Sequence, residues 1–121
     1  MLAIQDHQLL SLAERRFELR LMDLLDAHDV GAKAELATAD GRAALRHQIK
    51  RSRQYGMHSE LDIARYVITA WQLGLDFDQR FAALAEILAT DRLTPPQKSQ
   101  ALERVAVEVL SGLRAGQGRD A

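Results

Sequence analysis

Residues 59–74 read Ser59-Glu60-Leu61-Asp62-Ile63-Ala64-Arg65-Tyr66-Val67-Ile68-Thr69-Ala70-Trp71-Gln72-Leu73-Gly74. Ser59 with an acid three residues on is a helix start signal, Asp62 standing where Glu or Gln is usual. Ile63, Tyr66, Val67, Ala70 and Trp71 follow the i, i+3, i+4, i+7 spacing of one helical face. Gly74 closes the stretch. An amphipathic helix with both ends marked is predicted here, and its strong apolar face places it, with Trp71, near the centre of the fold.

Outward from that helix the same signals recur. Upstream, Asp40 is the expected cap of a basic helix from Gly41 to Tyr55, and Gly56 stands where a left-handed residue ends a helix. A first helix is predicted from about His7 to His28, with Asp6 as N-cap. Leu9, Leu10, Ala13, Phe17, Leu21, Leu24 and Leu25 draw its apolar stripe, and Leu12, Leu19 and Met22 widen it. A stripe this wide predicts burial on more than one side. Between these two helices, Gly31 interrupts the pattern and Ala32 to Ala37 is expected to form a short helical turn.

Downstream, Asp76 or Asp78 is expected to cap a shorter helix carrying Phe81, Leu84, Ala85 and Leu88, with Phe77 plugged into the core. Thr94-Pro95-Pro96-Gln97 combines a capping Thr, a first-turn proline and a Gln at the third position. The helix it starts carries Leu102, Val105, Ala106, Val109, Leu110 and Leu113. Residues 116–121 are expected to fray. With no strand signals, the fold class is all-α: a compact bundle of about five helices in one domain, residues 1–115.

Composition narrows the function classes. At 121 residues the chain is one domain's worth, and a hydrophobic fraction of 47% removes disorder as the default. The absence of cysteine excludes disulfides and thiolate metal sites and fits a reducing compartment. No secretory leader pattern and no long apolar run is visible, so a cytoplasmic location without membrane insertion is expected. The net charge of −1 gives no global attraction to nucleic acid.

Chemistry-bearing patterns are sparse. His7, His28, His47 and His58 show no metal-ligand spacing. Asp76-Phe77-Asp78 resembles the opening of a calcium loop, but Phe81 and Ala82 stand where further oxygens and a glycine are needed. The serines lack a nucleophile context and no phosphate-cradling glycine loop is present. Neither catalysis nor a cofactor is expected, and the class that remains is binding.

The conspicuous electrostatic feature is on the second helix. Arg42, Arg46, Lys50, Arg51 and Arg53 occur between Gly41 and Gly56 with no acid among them. Arg42, Arg46, Lys50 and Arg53 share a face at steps of four, four and three. Phosphate contact, docking of an acidic protein and a merely solvated face are the three readings. Docking is the functional one preferred here, because no aromatics are interleaved for nucleic acid. Either acids on a neighbouring helix, with Asp23 and Asp26 of the first as candidates, or an acidic partner would relieve the stripe's repulsion. A solvated stripe would leave the wide apolar first helix as the docking face.

The segment from Arg53 to Leu88 resembles small helical proteins encoded among type VI secretion effector, spike-tip and chaperone genes in bacteria. The resemblance rests on Tyr55-Gly56, on Glu60, Asp62, Ala64, Arg65, Tyr66 and Val67, on Leu73-Gly74, on Phe77-Asp78, and on Ile87-Leu88. Ala82-Ala83-Leu84 departs from it, since an aromatic commonly follows the Phe-Asp step in that group. The resemblance implies an accessory protein, a co-chaperone that helps load or stabilise a secreted effector, whose partner is that effector or its chaperone. An immunity protein that neutralises a cognate toxin is the alternative it implies, and a small nucleic-acid-binding regulator is the alternative outside it. Physically, Asp62 and Arg65 are spaced to pair at i,i+3, and the acids favour the positive end of their helix.

Overall fold

The computed structural model describes the backbone of residues 6–119 and the side chains of residues 12–112. It is all-α, with seven helices among the described residues: α1 Asp6–His28, α2 Ala32–Leu36, α3 Ala39–Gln54, α4 Glu60–Leu73, α5 Phe77–Arg80, α6 Ala82–Ala89 and α7 Pro95–Arg119. Five of these have eight residues or more, α2 forms where a short helical turn is expected, and α5 is split from the expected fourth helix. The chain divides into two compact units, Met1–Arg46 and His47–Ala121, with α3 running through the division.

In the first unit, Phe17, Leu21 and Leu25 recur every four residues along α1 and are buried, as is Met22. Ala32 and Leu36 of α2 and Leu45 of α3 are buried too. The turn from α1 to α2 needs Gly31, whose φ of 99° lies in the left-handed region. Asp26 organises that turn: its Oδ1 accepts from the backbone N–H groups of Gly31 and Lys33, each at 3.1 Å. These are donors that a helix start leaves without partners. Asp40 is not the cap of α3, because it already lies inside the helix. Thr38 takes that role, its hydroxyl accepting from Gly41 N at 3.1 Å and donating to Glu35 O at 2.8 Å. The tight α2–α3 junction explains Gly41, where a Cβ would stand 2.3 Å from Glu35 O.

In the second unit, α3 ends in a Schellman motif, with Met57 N bonding to Ser52 O at 3.1 Å and Gly56 N to Arg53 O at 3.0 Å. Gly56 has φ 89°. Ser59 caps α4 through Asp62 N at 3.1 Å. The α4 face buries Ile63, Tyr66, Val67, Ala70 and Leu73. Trp71, expected at the centre, is only half-buried. It lies at the edge of a face whose middle belongs to Tyr66 and Ala70.

The expected fourth helix is broken in two. Phe81 is extended at φ −111°, ψ 106°, which separates α5 from α6. Phe77 is fully buried and plugs the core as expected. Thr94 and Gln97 form a reciprocal capping box, Thr94 N to Gln97 Oε1 at 2.9 Å and Gln97 N to Thr94 Oγ1 at 3.3 Å. Then α7 buries Ala101, Leu102 and Ala106. It continues past Gly116, where fraying is expected, to Arg119. A glycine costs a helix only about 1 kcal/mol relative to alanine, which does not forbid continuation. The side chains of Leu9, Leu10 and Leu113 lie outside the described residues.

Candidate functional site

The basic stripe of α3 does not behave as one surface. Arg46 reaches Glu18 of α1 in a two-pronged bond, Nε to Oε1 at 2.8 Å and Nη2 to Oε2 at 3.3 Å. The hydrogen bond to Glu18, with its charge, raises the Arg46 pKa above the ordinary value. Glu18 is buried, so Arg46 neutralises an acid that would otherwise lose solvation unpaired. The acid that meets Arg46 is therefore Glu18 and not Asp23 or Asp26. Asp23 instead holds Lys33 at 2.5 Å, and Asp26 organises the α1–α2 turn. Arg42 is half-buried, its Nε buried without an acceptor among the described residues. Lys50 and Arg53 are exposed.

Arg51, the fifth cation, points inward. It is paired with Oδ2 of Asp78, whose side chain is 1% exposed. The Tyr55 hydroxyl donates to the same oxygen at 2.8 Å. Asp78 is consequently no helix cap; it is the buried acceptor that ties the last turns of α3 to α5. The Tyr66 ring lies 5.9 Å from Tyr55 and 5.0 Å from Phe77, between centroids. Burial opposes the Arg51 charge, but the neighbouring tyrosine hydroxyls and the Asp78 charge outweigh it and hold its pKa above the ordinary value. Burial, followed by the Asp78 charge, pushes the Tyr66 hydroxyl up to about 12. Burial, together with the bond to Asp78, also raises Tyr55.

A second polar network joins α4 to α7. Ser99 Oγ donates to Asp62 Oδ1 at 2.6 Å. Arg65 bonds Glu103 at 3.0 Å through Nε, and its Nη1 stands 3.9 Å from Asp62 Oδ1. Successive links from 62 to 99 and from 65 to 103 mean that α4 and α7 run in the same direction. The motif residues Tyr55, Asp62, Arg65, Tyr66, Phe77 and Asp78 are thus placed in these two networks. Their pattern has a structural reason whatever binds outside it.

His28, His47 and His58 are exposed, and the His7 side chain lies outside the described residues. No group of three or more His, Asp or Glu is arranged to hold a metal among the described residues. None of their helices is long and apolar enough to cross a membrane.

What periodicity did not foresee is the outer side of α1. Met22 is buried, but Leu12, Leu19 and Leu24 remain 49%, 41% and 40% exposed, and Val30 beyond the helix is 93% exposed. Four of the seven large exposed apolar side chains among the described residues thus fall within residues 12–30. The sequence signal was the stripe's excess width. It was read as burial on more than one side, whereas Leu12 and Leu19, on one line, and Leu24, about 120° round the helix, are left to solvent. Comparison with protein-family models, with curated proteins and with solved structures finds no match.

Proposed function

We propose that this chain works by binding a partner protein, as an accessory factor of the co-chaperone kind rather than as an enzyme. The observation that carries the reading is the concentration of exposed leucine and valine on α1 and the turn after it. Leu12 and Leu19 share one line of α1, and exposed apolar side chains that lie together mark interaction surfaces more often than scattered ones do. The exposed cations Lys50 and Arg53 on α3 supply a charged face for the same kind of partner. The resemblance carried by Tyr55-Gly56, Glu60 to Val67 and Phe77-Asp78 supports a partner from type VI secretion, either an effector or the chaperone that loads it.

Affinity capture of the tagged chain from its native cells, read by mass spectrometry, tests the proposal. The expected result is one partner recovered near equal stoichiometry and encoded beside effector or spike genes. Recovery of a lone toxin would shift the reading to an immunity protein. Recovery of nothing above an untagged control would overturn it.

A further inference from the structure

On α1, Leu12 and Leu19 are seven residues apart and therefore lie along one line, roughly 10 Å apart at 1.5 Å per residue. Arg15 and Arg16 fall between them, three and four residues after Leu12, one on either side of that line. Both arginines are exposed, and neither is paired with an acid among the described residues. The arrangement is an apolar seam edged by cations. Counted as a heptad from Leu12, one arginine takes the second seam position, where its stem extends the apolar contact, and the other flanks the seam, where charge selects partners in paired helices.

We infer that this face of α1 receives an acidic amphipathic helix of the partner protein, its apolar residues on Leu12 and Leu19 and its carboxylates on Arg15 and Arg16. This rests on the reading of the chain as a protein-binding factor and names the chemistry of the partner. A second copy of the chain fits less well. Parallel pairing sets each arginine against its own counterpart. Antiparallel pairing with Leu12 on Leu19 sets Arg15 of one copy against Arg16 of the other. Repulsion of that kind is how helix pairs reject wrong partners.

The test uses two labelled synthetic peptides of about three heptads, with leucine at the seam positions and either glutamate or lysine at all flanking positions. Fluorescence anisotropy reads binding. The expected result is a preference for the glutamate peptide of about tenfold or more, narrowing as salt is added. Arg15→Glu with Arg16→Glu should invert the preference, and Leu12→Asp with Leu19→Asp should remove binding of both peptides. Circular dichroism checks that each variant is folded; if the leucine pair fails that check, the charge reversal decides alone. Equal affinity for both peptides, or a preference that the charge reversal leaves unchanged, would overturn the inference. So would concentration-dependent dimerisation that the leucine variant abolishes, since the face would then belong to a second copy. Failure of the broader reading is distinguishable. A native partner captured equally by wild type and by both double variants sinks this face and leaves the function. Absence of any native partner beside discriminating peptides does the reverse.

Discussion

The Tyr55 hydroxyl donates to Oδ2 of Asp78 at 2.8 Å, joining residues 23 apart in the chain, and Arg51 is paired with the same oxygen. A buried carboxylate held by a cation and a hydroxyl is costly to remove, because its partners are left without an acceptor. Asp78→Ala should therefore lose about 3–5 kcal/mol of stability in urea denaturation. Asp76→Ala, two residues earlier on an exposed side chain, should stay within about 0.5 kcal/mol. Equal effects would show that the pair does not hold α3 to α5.

The chain's two tyrosines, Tyr55 and Tyr66, both lie in this cluster, so phenolate absorbance reads it without interference. Tyr66 should ionise near 12, well above the ordinary 10, and Tyr55 should also ionise late. The folded state holds the Tyr66 proton more tightly than the unfolded chain does. The stability this contributes is full below pH 10 and is lost as pH rises through about 12. Its size is on the order of 2 kcal/mol. Two tyrosines titrating at 10 in the folded protein would contradict the burial of Tyr66.

Two glycines should respond to alanine with opposite signs. At Gly41 a Cβ would meet Glu35 O at 2.3 Å and Leu36 Cα at 2.8 Å, both backbone atoms that cannot swing aside. Gly41→Ala should cost about 1–3 kcal/mol despite the helix propensity of alanine. At Gly112, inside α7, a Cβ meets nothing within 4 Å. Gly112→Ala should gain about 0.5–1 kcal/mol. Thermal melting of the two variants decides the matter; a stabilising Gly41→Ala would mean the α2–α3 junction is looser than described.

Trp71 and Phe77 separate the apolar face of α4 from the true core. Phe77 is fully buried and Trp71 half-buried. Phe77→Ala should cost about 3–5 kcal/mol, and Trp71→Ala distinctly less. If the order reverses under chemical denaturation, the sequence-based expectation for Trp71 is the better one.

Much of the fold is legible in the sequence because its ends are written in short-range chemistry. Ser59 with Asp62, Thr94 with Gln97, and the left-handed Gly56 each act within a few residues, and each does what its position predicts. The misread positions depend on distant partners. Asp78 resembles a cap until Arg51 and Tyr55, more than twenty residues earlier, are brought to it. Arg46 stays exposed, but its bond to Glu18 of α1 could not be read from the spacing within α3. The exposure of Leu12 and Leu19 was illegible for the same reason: periodicity marks which residues share a side, not whether another element covers it.

On the proposed reading, the partner protein docks through Leu12 and Leu19 of α1, which lie outside the two internal networks. Isothermal titration of the captured partner against wild type and against Leu12→Asp with Leu19→Asp, both checked for equal melting temperature, tests it most directly. The predicted result is a dissociation constant weakened about 100-fold or more, the loss expected when apolar anchors at the centre of an interface are replaced by charge. An unchanged dissociation constant in the folded variant would contradict it.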